Sequence, residues 1–518
     1  MRTLNQSLLS DRAFWEGKGA ALPQYDRKNL PVTSICFSMG RMGFGHFADI
    51  MQDLLHKGVA SGVIAGVETF SRAYYESLLA SDILVTQIIY GNKKGQALPK
   101  IQGAITEALF LDADENSADF QKLLAYARDP KVQFATINAP EIVYGMTYSG
   151  GDFATPTAPK VLADMENGTY TSDPGKWTRF ALERFNAGLK FAFVSCTNFS
   201  KNGFFTGAVL RTIGRAWEVK GFAPKGFLAY LSDPAQMGFP NTMVDRIAVS
   251  PDEAVSRRME DLGLQSSVIV TEENRYWAIE DVFPGGRPEF DQAEGVFMCP
   301  NFEDVKKYED MKLRILNMSH TTFATLGVLL GARGAYGIYK CMQDAKLVEI
   351  ITEIMNIVRQ IIKRPAGIDP SEFIADTFHR LNNPNIPDDP MRIALNGSTK
   401  ILPRLMETYW EGKAKGICPG KLRVILKPAA GFLRYTAGVD DCGVEYQLED
   451  DPIRDLLLEC GAKAKAGADV KEAFRPLLSD AHIFGRDLFT EPETLDEVCR
   501  LTAAMFEGNG SVRKTVDA

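Results

Sequence analysis

Up to about residue 300, short β-branched or aromatic runs alternate with longer stretches of helical spacing, and beyond that point the strand-like runs all but disappear. Such alternation marks a mostly parallel sheet, because parallel neighbours need a crossover long enough to carry the chain back across the sheet. The strand candidates are 32–38, 63–67, 83–90, 132–137, 191–195 and 268–271, with helical spacing read at 104–111 and 117–127. In the second half Leu347, Ile350, Ile351, Ile354, Met355, Val358, Ile361 and Ile362 recur at three- and four-residue steps, the apolar stripe of a packed helix. Pro365, Asn382-Asn383-Pro384 and Asp388-Asp389-Pro390 supply the breaks between helices. The expected organisation is an α/β domain over 1–299 and a mainly α-helical domain over 300–518, ending in a loose tail from Gly508-Asn509-Gly510-Ser511 onward.

Composition narrows the function class. The 518 residues carry 58 basic and 66 acidic side chains, a formal charge of −8, with no basic block to track a phosphate backbone. Nucleic acid is therefore not an expected partner. No run of about 18 apolar residues occurs, so no membrane-spanning helix is expected. Met1 to Gln6 lead into Asp11, Arg12 and Glu16 without an apolar core, unlike a signal or transit peptide. Eight cysteines without a CxxC pair and five dispersed histidines point to reduced thiols, a cytoplasmic setting and no protein-bound catalytic metal.

Four segments carry residue types suited to chemistry. The first strand candidate runs into Gly40-Arg41-Met42-Gly43-Phe44-Gly45-His46, glycines placed where a strand-to-helix turn would bring a pyrophosphate against backbone N–H groups. Glu68 closes the next run, about where an acidic residue accepts hydrogen bonds from an adenosine ribose, and Arg72 nearby leaves room for a 2′-phosphate. Glycine turns after strands are common, so a dinucleotide site and a plain turn both stand at this point. Lys312-Leu313-Arg314-Ile315-Leu316-Asn317-Met318-Ser319-His320 follows at the start of the helical half. At about 100° per residue Lys312, Leu316, Ser319 and His320 share a helix face, with Asn317 roughly 140° from Lys312 at its margin. One helix can so present an amine, a carboxamide and an imidazole, although a solvated lysine, a capping asparagine and a core histidine would read the same. After the 191–195 strand comes Cys196-Thr197-Asn198-Phe199-Ser200-Lys201-Asn202-Gly203, where Asn198 is placed either to meet a ligand at a strand end or to make an Asn/Gly turn. Phe239-Pro240-Asn241-Thr242-Met243-Val244-Asp245-Arg246-Ile247 puts Asp245 in an apolar setting where Arg246 would neutralise it.

The order and wording of these blocks resemble the polyol-specific long-chain dehydrogenase/reductase family, which includes mannitol 2-dehydrogenase and the hexuronate reductases acting on fructuronate and tagaturonate. Similar blocks run from Leu22-Pro23-Gln24-Tyr25-Asp26-Arg27 to Ala430-Gly431-Phe432-Leu433-Arg434-Tyr435, most of the chain. The strongest is the Lys312 to His320 segment, similar to the family's KxRxLNxSH motif. The resemblance implies a Rossmann-type first domain and a catalytic Lys312, flanked by Asn198 and Asn317 as the oxyanion-binding pair, with His320 contacting substrate. It implies Arg392 and Lys400 as substrate clamps, Asp245 shaping the polar site, and Glu141 helping to pass the proton to solvent. Gly40, Gly43 and Phe44 align with the family's GxGxFHRAH turn and, with Glu68, form the expected cofactor site. Here Met42 stands at the middle glycine and the Arg-Ala-His portion is absent. Thr197 replaces the acid of the usual SCDN, and Asn138-Ala139-Pro140-Glu141 keeps only the glutamate of its block. By these departures the chain resembles a divergent member of the family.

These residue types suit metal-free hydride transfer. In the oxidative direction a neutral Lys312 takes the hydroxyl proton while hydride leaves the same carbon for a nicotinamide, and two carboxamides stabilise the developing alkoxide. Burial beside cations should lower the lysine's pKa from about 10.4. Lys400-Ile401-Leu402-Pro403-Arg404 looks like a run of the hexuronate reductases, and Arg404 would add charge for a carboxylate, unless it is a surface arginine. The expectation is an oxidoreductase using NAD, with NADP left open, that interconverts a ketose sugar acid and its alcohol of the D-fructuronate/D-mannonate type. Mannitol 2-dehydrogenase or tagaturonate reductase activity is the alternative, and a non-catalytic sugar- or nucleotide-sensing relative is disfavoured by the retained Lys312. Tyr336-Gly337-Ile338-Tyr339-Lys340 mimics the YxxxK pair of short-chain dehydrogenases but lies in the helical half of a chain twice too long. The site is expected between the two domains, with a small sugar acid or polyol as partner and a monomer or weak homo-oligomer as the assembly.

Overall fold

In the computed structural model, which describes residues 1–91, 96–249 and 251–518, apolar runs of the first half pair into a six-stranded sheet. Its strands are β1 (Val32–Phe37), β2 (Val63–Glu68), β3 (Ile105–Phe110), β4 (Phe134–Ile137), β5 (Phe191–Ser195) and β6 (Met237–Gly238). Their order across the sheet is β3-β2-β1-β4-β5-β6, and every neighbouring pair is parallel. That is the doubly wound dinucleotide-binding order, whose direction reverses between β1 and β4 and opens a crevice at the carboxyl ends of those strands. A parallel sheet is covered on both faces, so its strands read as unbroken apolar runs. Ile35 and Phe37 face one core cluster with Trp177 and Phe180, and Cys36 faces the other with Phe47 and Trp277, the two-residue alternation of a strand.

Three sequence expectations are corrected here. Residues 104–111 carry helix-forming Ala, Glu and Leu, yet Ile105–Phe110 is strand β3, paired along β2 from Ile64↔Ile105 to Glu68↔Phe110. Ladder bonds and burial of Ile105, Ala108 and Leu109 outweigh a propensity difference of about 0.7 kcal/mol per residue or less. The runs at 83–90 and 268–271 do form strands, Val85–Tyr90 and Val268–Glu272, but they pair with each other in a separate four-stranded sheet. The third correction concerns the C-terminus. Ser511–Asp517 is a helix with Val512 and Val516 buried, because the Asp441 carboxylate accepts the Val512 and Arg513 N–H groups at 2.8 and 3.0 Å.

The chain divides into two compact units, residues 1–91 with 96–306, and 307–518. Within the first, a buried ionic knot ties the helix Asp49–His56 to the smaller sheets. Asp49 meets Lys100 at 2.6 Å and Arg246 and Arg275 at 2.5 Å each, while Asp53 meets Lys100 and Arg275. The second unit is helical, and the helix Ala345–Ile361 buries the stripe read from the sequence, with Asp344 as its cap. No helix among the described residues is long and apolar enough to cross a membrane.

Candidate active site

In the first unit the turn after β1 meets three separate steric demands. Ser38 sits in the left-handed region at φ +62°, Gly40 has open space where a Cβ would stand, and a Cβ on Gly43 would lie 3.0 Å from both Cys36 Sγ and the Ser38 carbonyl. A tight turn, a backbone open to the ligand and close helix–strand packing are what G-x-G-x-x-G supplies, and they fall on Ser38, Gly40 and Gly43. Gly40, not Met42, is therefore the middle glycine, and serine takes the first place. N–H groups of the following first helical turn are the natural donors to a pyrophosphate, so the turn fits a dinucleotide. Phe44 is a correction: its ring is fully buried in the core and acts as the floor of the turn, not as a surface that meets a ligand. His46 is likewise a core residue, edge-on to Trp277 at 5.5 Å, and burial, with Arg246 and Arg275 nearby, lowers its pKa to about 3.

Glu68 ends β2, buried, and its Oε1 accepts the N–H groups of Thr69, Phe70 and Ser71 at 3.1, 2.6 and 2.9 Å. The carboxylate so shapes the loop at the strand end and places a negative charge there. Arg72 lies over the Phe110 ring at 4.2 Å and 3.8 Å from Asp112.

The loops after β4 and β5 are laced together by neutral groups. Glu141 is exposed at the start of the short turn Glu141–Tyr144, whose buried Tyr144 hydroxyl meets Ser195 Oγ at 2.9 Å, Thr197 Oγ1 at 3.1 Å and Thr206 Oγ1 at 3.3 Å. Thr197 donates to the Ala139 carbonyl at 2.8 Å. A carboxylate at 197 would lack that proton, so the threonine substitutes a loop-to-loop tie for the family's acid. Asn198 then stands exposed at the end of β5. Asn202, the first residue of the next helix, donates to the Thr197 and Thr242 carbonyls and accepts from Thr242 N–H, each at 2.9 Å. Asn241 accepts from the Gly203 and Phe204 N–H groups. These bonds anchor the Asn198 loop to the strand Thr242–Asp245, in which Asp245 is buried. Arg246 does not serve Asp245 as expected; its guanidinium pairs with Asp49.

The helix Phe302–Lys312, within which the second unit begins at residue 307, continues into a wider π turn, Leu313–Asn317, then Met318–Thr322 and a second π turn, Phe323–Gly327. A turn closed from i to i+5 sets Asn317 about one turn from Lys312, so both share a face that a regular helix would have denied them. Lys312 is buried, and Arg314 holds the segment down by pairing with Glu411 at 2.7 Å and Glu407 at 3.1 Å. His320 places Nδ1 3.0 Å from the Leu316 carbonyl and Nε2 3.2 Å from Asp388 Oδ2, and Asp388 Oδ1 accepts from Arg392 at 2.6 Å. Burial raises the Asp388 pKa, but the hydrogen bond from His320 and the charges of His320 and Arg392 prevail and leave it below the usual value. Lys400 donates to the carbonyls of Ile393 and Leu395; burial, then Arg404 and Arg392, lower its pKa to about 8. Arg404 donates to Thr321 Oγ1 at 3.1 Å and the Asn317 carbonyl at 3.4 Å, and burial lowers its pKa to about 10. Among the described residues no carboxylate lies within ion-pair distance of Arg404.

Residues 304–505 match the model of the mannitol dehydrogenase C-terminal domain. A D-mannonate oxidoreductase from Thermotoga maritima is 30% identical over 99% of this chain and 98% of its own. The chain belongs to the mannitol dehydrogenase family. It is an oxidoreductase of the polyol and sugar-acid dehydrogenase kind. A mannitol 2-dehydrogenase from Emericella nidulans is 29% identical, covering 96% of each chain. Among solved structures, substrate-free D-sorbitol dehydrogenase superposes with a TM-score of 0.82 at 22% identity, over 99% of this chain and 100% of that one. The Pseudomonas fluorescens mannitol 2-dehydrogenase ternary complex with NAD and D-mannitol gives 0.77 at 24%, covering 100% and 99%. Both share the fold.

Within this mannitol dehydrogenase fold the sequence reading missed Tyr144, Asn202, Asn241 and Asp388. Asn241 and Asn202 each lie inside one of the polar segments of the sequence, but a carboxamide that ties two loops carries no local signal. Asp388 had one: it stands four residues before Arg392, the spacing of a helical ion pair, and was read only as part of a helix stop.

Proposed function

We propose that this chain interconverts a ketose sugar acid and its alcohol, of the D-fructuronate/D-mannonate type, with NAD. Arg404 carries the reading of the substrate: a partly buried guanidinium beside Lys400, with no carboxylate among the described residues to pair it, suits an anionic substrate better than a neutral polyol. The mannonate oxidoreductase relative supports the same choice. For the cofactor, a negative Glu68 at the end of β2 suits a ribose diol and disfavours a 2′-phosphate, while Arg72 is already engaged with Phe110 and Asp112.

Ser38, Gly40 and Gly43 would hold the pyrophosphate and Glu68 the adenosine ribose, and the bound nicotinamide supplies the hydride acceptor. Lys312 takes the hydroxyl proton at Nζ in the oxidative direction and returns it in the reductive one. Asn198 and Asn317 donate N–H to the alkoxide as it forms. Glu141, exposed, passes the proton to solvent, and Asp245 orders polar groups of the site. Arg392, Lys400 and Arg404 orient the substrate, with His320 behind them. A second reading, oxidation of D-mannitol to D-fructose, rests on the mannitol 2-dehydrogenase relatives.

The test is initial-rate absorbance of the reduced nicotinamide, with NADH and NADPH each offered D-fructuronate, D-tagaturonate and D-fructose. Preference for NADH and a hexuronate, lost in Lys312→Ala, is expected. Arg404→Leu should reduce kcat/KM for the hexuronate by about 1.5–3 kcal/mol, roughly 10- to 150-fold, and spare D-fructose. Equal loss on both substrates, or preference for D-fructose by the wild type, would favour the polyol reading.

A further inference from the structure

We propose that Asp388 is a positioning residue: its buried carboxylate joins the His320 imidazole and the Arg392 guanidinium into one rigid unit that presets Arg392 for the substrate. The inference rests on the reading in which Arg392 grips the substrate, and it gives His320 a different role from direct contact.

Four observations carry it. Asp388 is 4% exposed, whereas the Arg392 side chain is 62% exposed, so a buried anion anchors one end of a cation whose remainder is open to a ligand. The two carboxylate oxygens are divided, Oδ1 to Arg392 and Oδ2 to His320. Capping of the helix Pro390–Ala394 is done by the adjacent Asp389, whose Oδ1 accepts the Met391 N–H at 3.0 Å, so Asp388 is not needed as a helix cap. Both ring nitrogens of His320 face acceptors of the protein itself, the Leu316 carbonyl and Asp388, so the imidazole acts on substrate through Asp388 and Arg392. A guanidinium on a flexible stem loses much rotational freedom when it binds; one already tethered loses less, and the gain appears as tighter substrate binding.

The experiment is steady-state kinetics of the full chain with NADH and its preferred hexuronate, for the wild type, Asp388→Ala, Asp388→Asn, Asp388→Glu, Arg392→Ala and the double variant Asp388→Asn/Arg392→Ala. Asp388→Ala should raise the hexuronate KM about tenfold or more while kcat changes less than about threefold and the NADH KM stays put. Asp388→Glu should restore most of the loss. In the Arg392→Ala background Asp388→Asn should add nothing, because the tethered group is gone. Should Asp388→Ala fail to fold, the near-isosteric Asp388→Asn carries the same KM test. An unshifted KM, a loss confined to kcat, or additive effects in the double variant would overturn the proposal while the wild type still turns over. A wild type silent with every hexuronate and polyol would overturn the functional reading, and this proposal with it.

Discussion

The loops at the carboxyl edge of the parallel sheet and the helical segment from Lys312 to Arg404 hold their functional side chains by different physics. In the loops after β4 and β5 the ties are neutral: Tyr144 to Ser195 and Thr197, Thr197 to Ala139, Asn202 to Thr197 and Thr242. In the helical unit they are ionic: Arg314 to Glu407 and Glu411, Asp388 to His320 and Arg392. Hydroxyls and amides keep their hydrogen bonds whatever the pH, whereas ion pairs depend on it and on salt. Loops laced by hydroxyls and amides so keep their shape across conditions, while a unit held by ion pairs responds to pH and salt.

Several substitutions sharpen that contrast. The largest effect should come from Lys312→Ala, which removes the proposed acid/base and should cost about 10²–10⁴ in kcat, with the thermal melt unchanged. In the charged unit, Lys400 holds its proton below about pH 8 and gives it up above, so the hexuronate KM should climb as the pH passes 8. Arg404→Leu removes a repelling cation and should move that limb to higher pH; a limb that stays put would break the link between the two residues. At the sheet edge, Gly43→Ala places a methyl 3.0 Å from Cys36 Sγ and the Ser38 carbonyl and should destabilise by about 1–3 kcal/mol, with weaker NADH binding by titration. Tyr144→Phe should lose about 0.5–1.5 kcal/mol in denaturant unfolding, by the same amount from pH 6 to pH 9.

The smallest and most discriminating effect is in acid. Asp388 titrates below the usual carboxylate value in the folded chain, so its contribution to stability is complete above about pH 4 and disappears as the pH falls through the native value. Asp388→Asn should flatten that part of the acid-unfolding curve, and Tyr144→Phe should leave it as it is. An identical acid limb in all three proteins would show that the two regions are not held differently.

Much of this was legible beforehand. The run of strands and crossover helices and the helical second half followed from spacing, since periodicity and turn chemistry are properties of neighbouring residues, and the family followed from the resemblance of its motif blocks. Residues 104–111 were misread because β2 lies forty residues away in sequence, and only its pairing turns helix formers into a strand. The helix at Ser511–Asp517 was missed for the same reason, its cap being Asp441. Asn317 was set at the margin of its helix because a π turn, which nothing in the local residue types announces, moves it one position round.

By itself the sequence determined the fold class, the family through the resemblance of its motifs, and the residue types able to move a proton and stabilise an alkoxide. Tertiary structure decided which glycine of the turn after β1 is left open, that Phe44 is core, that Arg246 serves Asp49, and that Asp388 links His320 to Arg392. The division has a physical cause. Backbone preference and apolar periodicity act over a few residues, whereas the partner of a charge or a carboxamide is whatever group the folded chain brings within about 3 Å.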